Sequence, residues 1–143
     1  MIRKIQKTDL NEITLLFKQL WPDTFIQQEN IASILDKYLT DENYEIYCFE
    51  KEKILGLITL SKRPAFFYGG KVAVIEDIIV DKEKRRFGIG RKLVKFVERE
   101  MKTQGIKGIE LSSDLYRREA HQFWEKLGYE KSAFQFRKIL NNR

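Results

Sequence analysis

The hydrophobic and polar residues of this chain follow two periods, one typical of helices and one typical of strands. Four predicted helical faces are Leu10, Ile13, Phe17 and Leu20; Ile31, Ile34, Leu35 and Tyr38; Ile89, Leu93, Val97 and Met101; and Ala120, Phe123, Trp124 and Leu127. Strand-like runs lie at residues 1–6, 44–50, 54–61, 71–80, 106–113 and 129–140. The predicted order is therefore β, α, α, β, β, β, α, β, α, β.

This order combines an antiparallel hairpin half with a strand-helix-strand half, which predicts an α+β fold with helices covering a sheet. A length of 143 residues suits one domain, which we take as residues 1–143. No apolar run approaches the roughly twenty residues that span a bilayer, and residues 1–10 lack the core of a signal peptide. We therefore expect a cytoplasmic protein without a membrane partner.

The net charge of +6 favours anionic partners, either a polyphosphate cofactor or nucleic acid. Many of the basic residues lie around one glycine-containing segment: Lys82, Lys84, Arg85, Arg86, Arg91, Lys92 and Lys95. His121 is the only histidine, and we interpret it as a helix-surface residue. The sequence contains no obvious set of metal ligands, so we expect no metal.

Residues 76–92 read as a strand, a glycine loop and a helix, with Arg85-Arg86-Phe87-Gly88-Ile89-Gly90 at the loop. The first NH groups of a helix have no intrahelical acceptor and attract anions, so this segment suits a phosphate or pyrophosphate. A Walker-type loop is absent. A dinucleotide fingerprint would require its third glycine at Leu93. The remaining pattern is Arg-x-x-Gly-x-Gly.

This pattern resembles the acyl-CoA pyrophosphate loop of the GNAT superfamily of N-acyltransferases, written Q/R-x-x-G-x-G/A. Residues 119–129, EAHQFWEKLGY, resemble the superfamily's later motif A-x-x-F-Y-x-x-x-G-F. The two motifs occur in the family order with one predicted strand between them, and the resemblance covers essentially the whole chain. A weaker likeness links residues 117–138 to small-molecule amine acetyltransferases of the aminoalkylphosphonate and aminoglycoside types.

The resemblance implies a GNAT-like central sheet that is largely antiparallel, with six to seven strands and about four flanking helices. The sheet would be splayed between its fourth and fifth strands, here residues 72–80 and 107–112. Acetyl-CoA would be the cosubstrate, with pantetheine on the main chain of the fourth strand and pyrophosphate on the loop amides. The implied cofactor-binding residues are Ile78, Ile79, Val80, Arg85, Arg86, Phe87, Gly88, Ile89, Gly90, Arg91 and Arg117. Arg117 replaces an asparagine that relatives frequently carry, and either reaches a phosphate or faces solvent.

N-acetylation requires a neutral amine, and a primary ammonium has a pKa near 10.4. A carboxylate near the thioester is the natural general base. Glu76 and Asp77 lie on the fourth strand, where adjacent side chains point to opposite faces. We expect Glu76 to be the base because it shares a face with Ile78 and Val80. The alternative is a structural charge paired with a nearby lysine.

The leaving thiolate needs a proton, which many relatives supply from a tyrosine. This chain carries Trp124 at that position, and an indole NH is a poor acid. Three alternatives stay open: Tyr129 or Tyr116 acts as the acid, water protonates the thiolate, or catalysis relies on positioning. Tyr129 is the catalytic candidate. The resemblance also points to an amide near Val80 as the donor that stabilises the tetrahedral intermediate.

The leading functional hypothesis is an acetyl-CoA-dependent N-acetyltransferase that acts on a primary amine of a small molecule by direct attack on the thioester. One alternative is acetylation of a peptide or protein amine. Another is a non-catalytic module that binds acyl-CoA or nucleic acid, although we do not expect nucleic acid as a partner. By family habit, a homodimer is one option. The aromatic loop at residues 62–70 is typical of pocket lining or core packing.

Overall fold

The computed structural model describes residues 1–141, whose strands form a single five-stranded sheet. Its strands and helices are β1 (Ile2–Lys4), α1 (Leu10–Leu20), α2 (Gln28–Thr40), β2 (Tyr44–Lys51), β3 (Lys53–Ala65), β4 (Gly70–Val80), α3 (Ile89–Thr103), β5 (Gly108–Leu111) and α4 (Arg118–Lys126). The sheet order is β1-β2-β3-β4-β5, with antiparallel neighbours except for the parallel pair β4 and β5. The predicted mixed α+β architecture with four helices is confirmed.

Residues Met1–Leu111 form one compact unit that contains the whole sheet. One sheet face packs against α1 and α2, through a buried cluster that includes Ile13, Leu35 and Leu57. α3 packs on the sheet through the helical face that the sequence predicts, because Leu93, Val97 and their periodic neighbours are buried. The central strand β3 is therefore apolar on both faces, as a strand between two helical layers must be.

β4 extends beyond its parallel pairing with β5. Their parallel pairing covers Val72–Ile75 and Gly108–Leu111, whereas β4 continues to Val80. The pairing covers the whole length of β5, and the expected splay between the fourth and fifth strands stays a prediction. The part of β4 beyond Ile75 therefore keeps an edge that β5 does not cover.

The sheet has five strands in the described residues, so the expectation of six to seven strands is wrong. Residues 129–140, predicted as a final strand, form neither a ladder nor a helix. A strand is stable only when a neighbouring backbone completes its hydrogen bonds, and apolar alternation does not supply that neighbour. β5 is also shorter than predicted, because Ile106 NH donates to the Met101 carbonyl and completes the end of α3.

The residues from Ser112 onward form a second unit, which contains α4. Its one buried large side chain among the described residues is Trp124. The Trp124 ring meets the rings of Phe123 and Tyr129 edge-on, at centroid distances of 5.0 and 5.1 Å. Of the helices in the described residues, none has both the length and the apolar character that crossing a membrane requires.

Candidate active site

The predicted pyrophosphate loop connects the end of β4 to the start of α3. Gly88 precedes the helix with a left-handed φ of +82°, which an L side chain rarely adopts. Lys92 NH donates the first helical hydrogen bond to the Gly88 carbonyl at 3.0 Å. The NH groups of the first turn, which begins at Ile89, have no intrahelical acceptor in an α-helix and point toward the loop. The local geometry thus forms the glycine-led helix start that the sequence predicts, an arrangement of NH groups that suits an anion.

Loop residues 82–88 are exposed, whereas Ile89 is buried and anchors the helix start. Arg86 adopts a positive φ of 70° without being glycine, which is a strained backbone conformation. The Gln19 side chain of α1 accepts a hydrogen bond from Lys82 NH at 3.0 Å. The loop is therefore held at its start by α1 and at its end by Ile89, with a strained residue between them.

The uncovered edge of β4 presents main-chain groups at alternate residues. Asp81 NH donates to the Leu55 carbonyl of β3 at 2.8 Å. Because backbone groups alternate sides along a strand, those of Ile79 also face β3, and those of Ile78 and Val80 face the open side. Arg85 Nε donates to the Val80 carbonyl at 3.2 Å, which agrees with this direction. Ile79 itself is buried in the core.

A β-bulge brings two carboxylates to one sheet face. Thr59 pairs with Asp77, but Leu60 pairs with Ile75, which leaves Glu76 as an extra residue in β4. Thr59 Oγ1 donates to Asp77 Oδ2 at 2.7 Å. Ser61 Oγ donates to Glu76 Oε1 at 2.9 Å. Since Thr59 and Ser61 are two apart on β3, they share a face, and so do their acidic partners.

The expectation that Glu76 and Asp77 point to opposite faces is therefore wrong. Glu76 was preferred as the general base because it was expected to share a face with Ile78 and Val80, and this expectation is also wrong. Ile78 pairs with Ile58, which alternates with Thr59 and lies on the other face. A bulge shifts the alternation by one residue, and nothing in the sequence around Glu76 marks it.

The two carboxylates have different surroundings. Burial raises the pKa of Asp77 above its ordinary value, the hydrogen bond from Thr59 opposes this shift, and the charge of Glu76 adds to it. Thr59 also hydrogen-bonds to Tyr38 of α2, whose pKa burial raises to about 12. Glu76 is exposed. The sequence analysis did not identify Thr59 and Ser61 as hydrogen-bond donors to the two carboxylates. Their spacing of two residues in an otherwise apolar strand is the signal that could have revealed them.

The aromatic loop becomes the turn between β3 and β4. Phe66 and Phe67 are fully exposed and do not belong to the core. A shallow apolar pocket of about 270 Å³ lies beside them, and its lining residues are Pro64, Ala65, Phe66, Gly69 and Gly70. Tyr68 behaves differently, because its ring lies against the Gly108 backbone of β5. Its hydroxyl donates to Glu110 Oε2 at 2.9 Å.

The remaining candidates lie in the second unit. Tyr129 is half-buried beside Trp124, and its NH donates to the Trp124 carbonyl at 3.0 Å. Tyr116 and Arg117 are exposed before α4. His121 Nε2 hydrogen-bonds to the Asp114 carbonyl at 2.8 Å. Within residues 1–141, no group of three or more histidine, cysteine or acidic side chains is arranged to hold a metal ion.

Comparison with known proteins agrees with this geometry. The profile of the Acetyltransferase (GNAT) family matches residues 10–129. The aminoalkylphosphonate N-acetyltransferase of Salmonella typhimurium is 31% identical over 88 residues, which are 62% of this chain and 57% of that protein. A putative acetyltransferase of Bacillus subtilis is 36% identical over 67 residues, 47% of this chain and 44% of that protein. The matches thus span about half the length of these curated relatives.

Solved structures extend the likeness to the whole fold. A Trypanosoma brucei acetyltransferase superposes with a TM-score of 0.82 at 26% identity, covering 98% of this chain and 99% of that one. Glucosamine-6-phosphate N-acetyltransferase from Arabidopsis thaliana superposes with a TM-score of 0.84 at 24% identity, covering 99% and 98%. With its glycine loop, mixed sheet and matching profile, the chain belongs to the Acetyltransferase (GNAT) family.

Proposed function

We propose that this protein transfers the acetyl group of acetyl-CoA to a primary amine of a small molecule, by direct attack of the amine nitrogen on the thioester. One observation supports this most strongly: the α3 helix start follows directly on the uncovered edge of β4. A pyrophosphate needs clustered NH donors, and an amide-containing arm needs strand-like main-chain partners. Residues 85–90 offer the first, and Ile78 and Val80 offer the second.

The loop suits an anionic ligand. A Cβ placed on Gly88 would meet no atom within 4 Å, so the space above the loop is open. Arg91 and Lys92 are exposed on the first turn of α3. Such cations steer an anion toward the site, while the main-chain NH groups fix its geometry. Acetyl-CoA would supply the activated acetyl group, and these residues would hold its diphosphate.

We assign the general base to the carboxylate pair that the bulge creates. Glu76 is the exposed member and is the one we propose to meet the incoming amine. Burial raises the pKa of Asp77, which makes its carboxylate a stronger base, and its charge lies next to that of Glu76. Both Glu76→Gln and Asp77→Asn should lower turnover, whereas Ser61→Ala, which removes only a hydrogen bond to Glu76, should lower it less.

Two further groups complete the proposed reaction. The Val80 NH, on the open side of β4, would stabilise the negative charge on the thioester oxygen. Tyr129 would protonate the departing thiolate in place of the tyrosine that Trp124 replaces. Tyr129→Phe should then lower the rate of thiol release without weakening acetyl-CoA binding. An unchanged rate would exclude Tyr129 and leave Tyr116, water or catalysis by positioning.

A small amine is the first acceptor to test, since the Salmonella relative is an aminoalkylphosphonate N-acetyltransferase. Thiol release should be measured with aminoalkylphosphonates, aminoglycosides, simple diamines and lysine-containing peptides. Peptide activity alone would favour the peptide N-acetyltransferase alternative. Acetyl-CoA binding without thiol release from any acceptor would favour a non-catalytic binding module.

Binding at the loop is tested by calorimetry with acetyl-CoA. Gly88→Ala forces a side chain into the left-handed conformation, which costs about 1–2 kcal/mol and should weaken binding about tenfold. Gly69→Ala is the matched control, because Gly69 has a φ of +64° and open space but lies in the β3–β4 turn. Equal affinities of the two variants would remove the loop from the proposed site.

A further inference from the structure

Two hydroxyl groups connect helix α2 to the half-buried member of the carboxylate pair. Thr59 is 2% exposed, so water does not compete for its hydroxyl group, and its Oγ1 donates to Asp77 Oδ2 at 2.7 Å. The same hydroxyl group is hydrogen-bonded to Tyr38 of α2. The proposed reaction uses Asp77 but neither of the two residues that stand behind it.

The direction of these hydrogen bonds follows from the number of hydrogens. A hydroxyl group has one hydrogen to donate, and an ionised carboxylate can only accept. Because Thr59 gives its hydrogen to Asp77, Tyr38 must donate to Thr59 Oγ1. Burial raises the pKa of Tyr38 to about 12, so the phenol keeps its hydrogen at neutral pH. The hydrogen bonds therefore run from Tyr38 through Thr59 to Asp77, and we call these three groups the hydroxyl chain.

The hydroxyl chain stays satisfied when Asp77 takes up a proton. A protonated carboxyl group still has an accepting oxygen, so Oδ2 can keep the hydrogen bond from Thr59 while the proton lies on Oδ1. Hydrogen bonds to an ionised acceptor are about twice as strong as neutral ones. Thr59 therefore orients the carboxyl group in both protonation states and favours the ionised one.

The other groups near the hydroxyl chain act in the opposite sense or not at all. Glu76 lies next to Asp77 on β4, and its negative charge opposes the ionisation of Asp77. Tyr44 of β2 packs its ring against Tyr38 at a centroid distance of 5.0 Å. Helix α1 packs on the same sheet face and contributes apolar side chains to the buried cluster. Burial and Glu76 thus disfavour the Asp77 carboxylate, whereas the hydrogen bond from Thr59 favours it.

We propose that Tyr38 and Thr59 are positioning residues for the general base: the hydroxyl chain orients the Asp77 carboxylate and sets the pH below which it no longer accepts a proton from the amine. This inference rests on the proposed function, in which Asp77 belongs to the base. Glu76 has its own donor, because it accepts a hydrogen bond from Ser61. The two carboxylates are therefore held by separate hydroxyl groups and can be perturbed separately.

The first measurement is the pKa of Asp77 in the free protein, by NMR titration of its side-chain carboxyl carbon. Thr59→Val removes the hydroxyl group at nearly constant volume and should raise this pKa by about one unit, because it removes a hydrogen bond to a charged group. Thr59→Ser keeps the hydroxyl group and should restore most of the wild-type value. Tyr38→Phe should give a smaller rise, since Tyr38 acts on Asp77 only by polarising Thr59. Tyr44→Phe is the matched control, because it removes a neighbouring phenol outside the hydroxyl chain, and it should leave the pKa unchanged.

Two further measurements separate a chain from two independent effects and connect it to catalysis. Tyr38→Phe/Thr59→Val should raise the pKa of Asp77 no further than Thr59→Val alone, because Tyr38 has no hydroxyl group to donate to in that background. The pH at which kcat/KM falls to half on the acid side should rise by the same amount as the pKa. It is measured by thiol release from acetyl-CoA, with whichever amine of the acceptor panel reacts fastest. Circular dichroism and thermal unfolding establish that each variant is folded.

An unchanged pKa of Asp77 in Thr59→Val, or additive rises in the double variant, would overturn the hydroxyl chain. A raised pKa without a matching change in the pH dependence of kcat/KM would overturn its role in catalysis. A wild type that releases no thiol with any acceptor would overturn the proposed function and that catalytic role together. The NMR titration of the free protein would then show separately whether the hydroxyl chain itself is correct.

Discussion

Gly56 of β3 controls how closely the start of α3 approaches the sheet. A Cβ built on Gly56 would lie 3.0 Å from Ile89 Cγ2, 3.1 Å from the Ile79 carbonyl oxygen and 3.3 Å from Leu93 Cδ1. The carbonyl is held by the sheet, so we expect Gly56→Ala to push the Ile89 side chain away by a few tenths of an ångström. Because Ile89 is the first residue of α3, we predict that this substitution shifts the pyrophosphate loop.

The size of the effect follows from the contacts. Overpacking a well-filled core costs about 1–3 kcal/mol. If binding of acetyl-CoA has to restore the loop geometry, that cost weakens the affinity by about 5-fold to 150-fold. Calorimetry with acetyl-CoA measures the affinity, and steady-state kinetics should show a raised KM with a smaller change in kcat. Circular dichroism and thermal unfolding establish that the variant is folded.

Two further variants make this prediction specific. Gly70→Ala places its Cβ 3.0 Å from Lys107 Cγ, but that neighbour is a flexible side chain that can move away. It should leave acetyl-CoA affinity within about twofold, since surface changes of this kind cost less than about 0.5 kcal/mol. Ile89→Leu removes Cγ2 and should restore part of the affinity in the Gly56→Ala background. An unaltered affinity in Gly56→Ala, or an equal loss in Gly70→Ala, would refute the reasoning.

Three other predictions concern charged groups. Asp77→Asn should slow turnover but preserve or increase the free energy of unfolding at neutral pH. The pKa of Asp77 is raised in the folded state, so ionisation of its carboxyl group destabilises the fold as pH rises. A loss of stability in urea titrations would contradict this prediction. Glu45→Gln should cost about 1.5–3 kcal/mol in the same assay, since it leaves the half-buried Lys62 ammonium, 2.6 Å from Glu45 Oε2, without its counter-ion. Glu45→Gln/Lys62→Met should recover part of this loss. The hydrogen bond from Arg3 lowers the pKa of Asp9, so this pair stabilises the fold above about pH 4 and loses that effect as pH falls below it. Asp9→Asn should therefore reduce the fall in the free energy of unfolding at acid pH. An unchanged fall would exclude the pair as its source.

Features set by local sequence could be predicted, because their physical causes lie within a few residues. The helical face of α3 and the glycine at its start are examples, since both follow from helix periodicity and from the φ that Gly88 must adopt. The close approach at Gly56 was also predictable from a glycine inside a strand. The splay of β4 from β5 was expected from the family resemblance alone and stays a prediction, because no local signal marks where two strands separate.

Features set by distant partners could not be predicted in this way. The bulge at Glu76 depends on the register between β3 and β4, and a shift of one residue reverses which face a side chain occupies. Apolar alternation around Phe134 and Phe136 predicted a strand, yet no ladder forms there, since pairing requires a backbone that the local sequence does not specify. Site residues on strands are therefore less predictable than those on the glycine loop.

The most direct test of the proposed acetyl-CoA site is a crystal structure of the protein with CoA bound. We predict that the diphosphate lies on the main-chain NH groups of residues 85–90 and that the pantetheine arm bonds to the main chain of Ile78 and Val80. A diphosphate bound elsewhere on the molecule, with those NH groups facing only solvent, would contradict the proposal.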